Sequence, residues 1–204
     1  SRRTEFGYDG WGNKVLTRHP DGSTDSLSMS WGGTGVYQVM SHPAGEPSSV
    51  THYDAAGRKV RTGSRRFDGQ WIYRDIEYDD YGNVYRESLP FRGNATPGLW
   101  NTYVYDKYMR PVSHTLASGN VTTWEYSGNS TVETRNGIRS KKTVDTFGNV
   151  IKVEDPGGTI RYTLRTDGSP VSIQYAEGAT TDYKVLVSMT YDRYGRRTGI
   201  TDVS

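Results

Sequence analysis

Apolar and polar residues alternate with a period of two along most of the chain. The longest run places Tyr183, Val185, Val187, Met189 and Tyr191 on one face of a single segment. Strict alternation is typical of β-strands, and no window has the sustained apolar period of an amphipathic helix. The pattern therefore predicts an all-β chain with almost no helix. Shorter runs lie at Leu27, Met29 and Trp31, at Thr122, Trp124 and Tyr126, at Ile160, Tyr162 and Leu164, and at Val171, Ile173 and Tyr175.

A short motif recurs between these runs: Tyr-Asp, two variable residues, Gly, and a polar or basic residue. Regular repetition of this kind predicts a repeat architecture. One copy has Met109 in place of the Gly, and another, around Gly168, keeps only the Gly and its spacing. The copies, complete and incomplete, lie at residues 8–13, 53–58, 78–83, 105–110, 144–149, 164–169 and 191–196.

The motif has the chemistry of a hairpin turn. Asp at the first turn position accepts a hydrogen bond from a backbone N–H two residues on, and Gly at the fourth position tolerates a positive φ. Together they predict a type I turn that closes a β-hairpin with a one-residue bulge. We therefore assign structural turn roles to Asp9, Gly12, Asp54, Gly57, Asp79, Gly82, Asp106, Asp145, Gly148, Gly168, Asp192 and Gly195.

Met109 departs from this rule. A non-Gly residue with positive φ is unfavourable by about 1 kcal/mol or more. We therefore expect the turn after Asp106 to have a different geometry, aided by Pro111.

The spacing of the motifs predicts how the strands are connected. Most motif positions are 20–27 residues apart, and two gaps, after Tyr8 and after Tyr105, are longer and indicate double or expanded units. Because Gly, Pro and Asn turn signals also lie between the motifs, each unit reads as up-strand, turn, down-strand, turn. We expect residues 1–204 to form one continuous array of about seven repeats, an antiparallel β-meander that curves into a spiralling sheet. Motifs close to both ends indicate a fragment of a much longer protein.

Composition favours a thin sheet. Only 33% of the residues are hydrophobic, and sixteen Tyr and five Trp supply most of the apolar area. A net charge of +2 is too balanced to indicate nucleic-acid binding, and a local basic cluster from Arg58 to Arg66 reads first as a solvated strand face. The minority reading of that cluster is a groove for a polyanion. No apolar run is long enough to span a membrane, and no signal peptide is present.

The sequence indicates no catalytic, metal or cofactor site. There is no Cys, and His19, His42, His52 and His114 show no metal-ligand spacing and no neighbouring nucleophile. We therefore expect a protein that is not an enzyme. Three Asn-x-Ser/Thr sequons, at Asn94, Asn120 and Asn129, matter only in a glycosylating host.

The Trp residues have two readings. They fill the thin sheet, or they form platforms on which sugars stack. Trp31 and Trp100 lie in Gly- and Pro-rich irregular stretches, where ligand-binding loops are found, and are the candidates for stacking.

From Tyr8 to Gly195 the chain resembles the Rhs/YD-repeat family, which includes bacterial Rhs toxins, the B and C components of insecticidal toxin complexes, and animal teneurins. The stretch from Ser88 to Trp100, followed by Tyr103-Val104-Tyr105-Asp106, is closer to the bacterial members. The resemblance implies a ribbon of strands that spirals into a shell, and in bacterial members the shell encloses a C-terminal toxin domain. The family's self-cleaving aspartyl protease has no match here, since Asp155-Pro156-Gly157 reads as a turn between repeats.

Two functions from different classes follow. The leading expectation is a non-catalytic structural segment of a toxin-encapsulating shell, secreted or on the surface of a bacterium. Its partners would be the adjacent repeats and the enclosed toxin domain. The alternative is an extracellular repeat module that binds carbohydrate or protein, with a glycan or a cell-surface receptor as its partner. A wall should place its Tyr and Trp rings between neighbouring repeats, whereas a binding module should expose two or three of them on a ridge.

Overall fold

The computed structural model describes residues 3–93 and 95–203, so Asn94 of the first sequon lies outside the described residues. Every regular element within these ranges is a β-strand, and all pairings between strands are antiparallel. The predicted all-β meander is therefore confirmed. The chain divides into two compact units, Ser1–Tyr103 and Val104–Ser204.

The first unit is a meander with one irregular end. Strands β1 to β8 pair in sequence order. The first half of β7 also pairs with the short β9, and β8 pairs with the start of β10. The strands are β1 Glu5–Tyr8, β2 Lys14–Arg18, β3 Thr24–Trp31, β4 Tyr37–His42, β5 Ser49–Tyr53, β6 Lys59–Arg65, β7 Trp71–Tyr78, β8 Val84–Ser88, β9 Phe91–Arg92 and β10 Trp100–Tyr105.

The second unit is more regular. From β11 onwards each strand pairs with the next one in the chain, and short turns connect most of them. The strands are β11 Pro111–Thr115, β12 Val121–Ser127, β13 Ser130–Arg135, β14 Ile138–Val144, β15 Val150–Asp155, β16 Gly158–Leu164, β17 Pro170–Glu177, β18 Lys184–Tyr191 and β19 Arg197–Asp202.

The two long gaps between motifs are double units. Four strands, β2 to β5, separate the motif at Asp9 from that at Asp54, and four more, β11 to β14, separate Asp106 from Asp145. Shorter gaps, such as that between Asp54 and Asp79, hold two strands. In the first double unit the middle connection is an irregular Gly-rich loop, residues 32–36, while in the second it is the tight pair Gly128-Asn129.

Very little of either unit is fully buried. Within the described ranges the buried apolar side chains are Val50, Val132, Ala176 and Met189. The alternating face of β3, with Leu27, Met29 and Trp31, is exposed. Most other strand residues are half-buried, as in a sheet whose faces are both partly wet. The described residues therefore form a sheet without the deep core of a sandwich, as the composition predicts.

Candidate functional site

Ten turns in the described part of the chain share one backbone. In each, the N–H of the first residue donates to the carbonyl of the fifth, and the N–H of the fourth donates to the carbonyl of the first. This is the bulged hairpin turn that the motif predicts. The first residues of the ten turns are Asp9, His19, Asp54, Arg66, Asp79, Asp106, Leu116, Asp145, Arg165 and Asp192.

Six of these turns, called here first-position turns, begin with Asp. Its carboxylate accepts hydrogen bonds from the backbone of the third and fifth residues and from the side chain of the fifth. In the turn of Asp79, Oδ1 accepts from the N–H of Tyr81 at 3.0 Å and of Asn83 at 2.8 Å, and Oδ2 accepts from Asn83 Nδ2 at 3.0 Å. The hydrogen bond from the Asn83 side chain lowers the pKa of Asp79. The same network recurs at Asp9, Asp54, Asp106, Asp145 and Asp192, with Asn or Arg as the fifth residue.

The other four, called here third-position turns, hold the polar side chain differently. Their third residue is Asp21, Asp68, Asp167 or Ser118. Each of the three carboxylates accepts a single backbone N–H bond, for example from Gln70 to Asp68 at 3.0 Å. Gly168, whose motif copy keeps only the Gly, belongs to this group, with φ of 83°. The backbone geometry therefore does not depend on where the carboxylate lies.

The prediction of a different turn at Met109 is wrong. Met109 has φ of 62°, and its N–H donates to the Asp106 carbonyl at 2.9 Å as Gly does in the other turns. Asp106 Oδ1 accepts from the N–H groups of Tyr108 and Arg110 at 2.8 and 3.0 Å, and Arg110 Nε donates to Oδ2 at 2.8 Å. These charge-assisted bonds offset a backbone strain of about 1–2 kcal/mol, so the carboxylate imposes the turn without glycine.

A tyrosine joins each of several turns to the next strand. The hydroxyl of Tyr78 on β7 donates to the carbonyl of Lys59, the residue that follows the turn of Asp54, at 2.8 Å. The guanidinium of Arg58, the last residue of that turn, lies 4.5 Å from the centroid of the Tyr78 ring. The hydroxyl contact recurs from Tyr126 to the Pro111 carbonyl and from Tyr191 to the Pro170 carbonyl. The guanidinium near the ring belongs to the last turn residue, Arg110, for Tyr126 and to the first turn residue, Arg165, for Tyr191. We call this contact the tyrosine bridge, and it connects successive repeats.

A polar groove of about 680 Å³ lies in the first unit, between the sheet and the loop that precedes Trp100. Arg61 binds Asp75 with two bonds of 2.5 and 2.7 Å, and Arg86 binds Glu77 with two of 2.8 and 2.9 Å. The hydrogen bond to Asp75 raises the pKa of Arg61, and that to Glu77 raises the pKa of Arg86. The groove is lined by Arg61, Asp75, Glu77, Arg86, Gly93, Ala95, Thr96, Pro97 and Trp100.

Arg61 therefore does not belong to a free basic cluster. Its partner Asp75 faces it across β6 and β7, and the two lie equally far in sequence from Asp68, the central residue of the connecting turn. That symmetry is the signal from which the ion pair could have been found. A guanidinium has five N–H donors, and each bidentate pair with a carboxylate uses two of them. The groove therefore still offers hydrogen-bond donors, but the positive charge of Arg61 is compensated by Asp75. This argues against the polyanion reading.

His52 lies beneath the irregular loop of residues 32–36 in the first unit. It is 7% exposed, and its Nδ1 has no hydrogen-bond partner among the described residues. A Cβ placed on Gly33 would lie 3.1 Å from that nitrogen, so the loop packs directly on the ring. Burial, and next the nearby charge of Arg61, lower the pKa of His52, although Asp75 opposes the shift. The ring is therefore neutral at pH 7.

The two stacking candidates have different surroundings. Trp31 is mostly exposed, and its ring meets the edge of Tyr37 at a centroid distance of 5.8 Å. Trp100 is half-buried in the groove, where the Arg86 guanidinium lies 4.2 Å from its ring centroid. The structure does not bring the two residues together, because Trp31 lies on β3 and Trp100 on β10. Only Trp31 presents a largely open ring.

No group of three or more His, Asp or Glu side chains is arranged to hold a metal ion in residues 3–93 and 95–203. The same ranges contain no helix with the length and apolarity that a membrane crossing requires.

No family model and no curated protein matches this chain. The chain is similar to solved structures of Tc toxin complexes, such as TcdB2-TccC3-TEV, at 12% identity over 95% of this chain with a TM-score of 0.37. A second is the Photorhabdus luminescens Tc holotoxin pore with a mutated TccC3, at 12% identity over 95% of this chain with a TM-score of 0.36. A third is TcdB2-TccC3 without its hypervariable C-terminal region, at 11% identity over 95% of this chain with a TM-score of 0.36. The chain spans 15% of the length of each.

Proposed function

We propose that the chain is a non-catalytic wall segment of an Rhs/YD-repeat shell that encloses a C-terminal toxin domain. The observation that carries the proposal is the tyrosine bridge, which places the Tyr78, Tyr126 and Tyr191 rings between successive repeats. Rings in that position join repeat to repeat, as a wall requires, and stability is then shared between neighbours along the array. The repeated Tyr-Asp motif, in its number and spacing, supports the same family.

The paired charges support a structural role for the groove as well. Arg61 with Asp75 and Arg86 with Glu77 form bidentate pairs, so each acid and base already has its partner on the sheet. A general acid or base needs a proton that it can exchange with a substrate, and strongly paired groups are poorly suited to that task. We therefore propose no catalytic role for this segment, and no cofactor.

The wider setting belongs to the same proposal. The parent protein would be secreted or displayed on the surface of a bacterium. The partners of this segment would be the adjacent repeats of the shell and the enclosed toxin domain, with no nucleic acid and no membrane span.

The alternative is an extracellular module that binds carbohydrate or protein. One observation favours it: Trp11 and Trp31 are both largely exposed, and sugars stack on open aromatic rings. Binding of soluble glycans by the isolated chain, lost on Trp31→Ala and retained in Trp100→Ala, would favour this module over the wall.

The proposal of a shell wall is tested on the full-length parent protein. The parent is purified gently and analysed by intact mass and denaturing electrophoresis. We expect a C-terminal fragment that is cleaved from the chain yet co-elutes with the shell in native gel filtration. Denaturant should release the fragment. A single uncleaved chain that holds no separate fragment would overturn the proposal in this form.

A further inference from the structure

Five of the six first-position turns carry an exposed aromatic ring at their third residue. The rings are Trp11, Tyr81, Tyr108, Phe147 and Tyr194, with 91%, 79%, 66%, 84% and 67% of their surface exposed. The sixth turn has Ala56 at this position. Single exposed apolar residues are ordinary on a protein surface, but a ring at the same place in five of six turns of one kind is a regular feature and makes these turn tips a candidate interaction site.

The turn itself does not need the ring. The turn with Ala56 keeps both backbone bonds, from Gly57 N–H to the Asp54 carbonyl at 3.0 Å and from Asp54 N–H to the Arg58 carbonyl at 2.9 Å. Third-position turns have the same backbone with Asp or Ser at that residue. The rings therefore contribute little to the hairpins that carry them.

The rings lie along one edge of each unit. Because strands reverse direction at every connection of a meander, every second turn lies on the same edge. In the second unit Tyr108, Phe147 and Tyr194 follow one another at intervals of four strands, which corresponds to roughly 19 Å. On the opposite edge of that unit, the turns of residues 116–120, 136–137 and 156–157 contain no aromatic residue. The fourth connection of that edge, residues 178–183, contains Tyr183, which is half-buried and has the Arg161 guanidinium 3.9 Å from its ring centroid.

The first unit repeats this spacing. Trp31 ends β3 on the same edge as Tyr81, which follows β7, so the two rings are also separated by four strands, or roughly 19 Å. A partner that engages two such rings at once must present apolar surface with the same period. A second copy of this chain presents rings with the same period, because it is built from the same repeats.

The charges beside the rings are complementary between the units. Arg193, at the second turn position, lies 4.6 Å from the Tyr194 ring, and Lys107 lies 5.0 Å from the Tyr108 ring. In the first unit the residue at the second position beside Tyr81 is the exposed Asp80. A cation therefore lies beside two of the three rings in the second unit, Tyr108 and Tyr194, and a carboxylate lies beside Tyr81 in the first.

We propose that these aromatic turn tips form a docking edge whose occupant is a second copy of this chain. Phe147 and Tyr194 of one copy meet Trp31 and Tyr81 of the other, and Arg193 meets Asp80. Four aromatic rings bury roughly 600–1,000 Å² in total. That is less than the ~1,600 Å² of a standard interface, so the association is weak and depends on concentration. This inference does not rest on the proposed shell, because it concerns the isolated chain.

Sedimentation equilibrium of the 204-residue chain over a wide concentration series tests the docking edge. The unchanged chain should self-associate, and the double variant Phe147→Ser with Tyr194→Ser should remain monomeric. Phe67→Ser is the matched control, since Phe67 is a fully exposed ring on the opposite edge of the first unit, and it should leave association unchanged. Circular dichroism and melting should be the same for all variants, because the replaced rings are exposed.

Exchanging the charges of Arg193 and Asp80 is a second test, because a change in association caused only by lost apolar surface would not depend on these charges. Arg193→Glu should weaken association, and Arg193→Glu combined with Asp80→Arg should restore it. The proposal is overturned if the chain is monomeric throughout the series. It is equally overturned if the double ring variant associates as the unchanged chain does, which would assign association to the terminal strand edges.

Discussion

First-position and third-position turns reach the same backbone by different chemistry. In the first-position turn of Asp79 one carboxylate accepts three hydrogen bonds, whereas Asp68 in a third-position turn accepts one from the backbone. The first-position turn also tolerates Met109 at the residue that is otherwise Gly. The Met109 turn shows that the bonds to a carboxylate at the first residue can hold the turn even when the fourth residue is strained.

The largest expected effect comes from removing glycine where φ is positive. Gly82 has φ of 87° and Gly69 has φ of 81°, so Val at either position is strained by about 1–2 kcal/mol. Urea unfolding should give losses of this size for Gly82→Val and for Gly69→Val. Gly10→Val is the control, because its Cβ would meet no atom within 4 Å and its φ is not positive. An unchanged midpoint in Gly82→Val would contradict the assigned turn.

Removing the carboxylate should separate the two kinds of turn. Asp79→Ala loses all three bonds of its network, while Asp68→Ala loses one backbone bond. Asp68→Ala also removes an exposed ion pair with Arg66 at 3.6 Å, which contributes little to stability. We therefore expect the melting temperature to fall further in Asp79→Ala than in Asp68→Ala. Equal shifts would mean that the number of accepted bonds does not determine how firmly a turn is held.

Replacing Met109 by Gly should stabilise the folded chain. Met109→Gly relieves about 1–2 kcal/mol of backbone strain and costs about 0.5–1 kcal/mol of chain entropy, so the net gain should be about 0.5–1 kcal/mol. Met109→Ala keeps the strain and should bring no such gain. Chemical unfolding of the two variants beside the unchanged chain gives the comparison, and a destabilised Met109→Gly would contradict it.

The smallest effect concerns the irregular loop of residues 32–36 and depends on pH. The folded pKa of His52 is lowered from 6.5, so the unfolded chain binds the extra proton more readily. The contribution of His52 is therefore complete above about pH 6.5 and declines as the pH falls below that value. Melting from pH 7.5 to 5 should show this decline, and it should be absent in His52→Gln. A decline of equal size in that variant would assign the effect to other groups.

The strands and most of the turns could be predicted from the sequence. Alternation predicted the strands, and Asp with Gly predicted where they reverse, because both depend on neighbouring residues only. The error at Met109 arose because intrinsic φ preference was weighed without the bonds that Asp106 accepts.

What remained hidden depends on strand register. The hydrogen bond from Tyr78 to the Lys59 carbonyl and the pairing of Arg61 with Asp75 join residues of neighbouring strands, and their partners become visible only when the strands are aligned. The basic cluster around Arg61 therefore looked free in the sequence although its central member is paired. The buried position of His52 was hidden for the same reason, since it follows from how the loop of residues 32–36 returns over the sheet.

The most direct test of the wall is protease protection of the C-terminal segment in the full-length parent protein. The account predicts that this segment resists digestion in the unchanged parent and becomes sensitive when Gly82→Val and Gly148→Val weaken two turns of the wall. The same segment produced alone should be digested under the same conditions. A C-terminal segment that is digested as rapidly in the unchanged parent as on its own would contradict the central claim that these repeats enclose it.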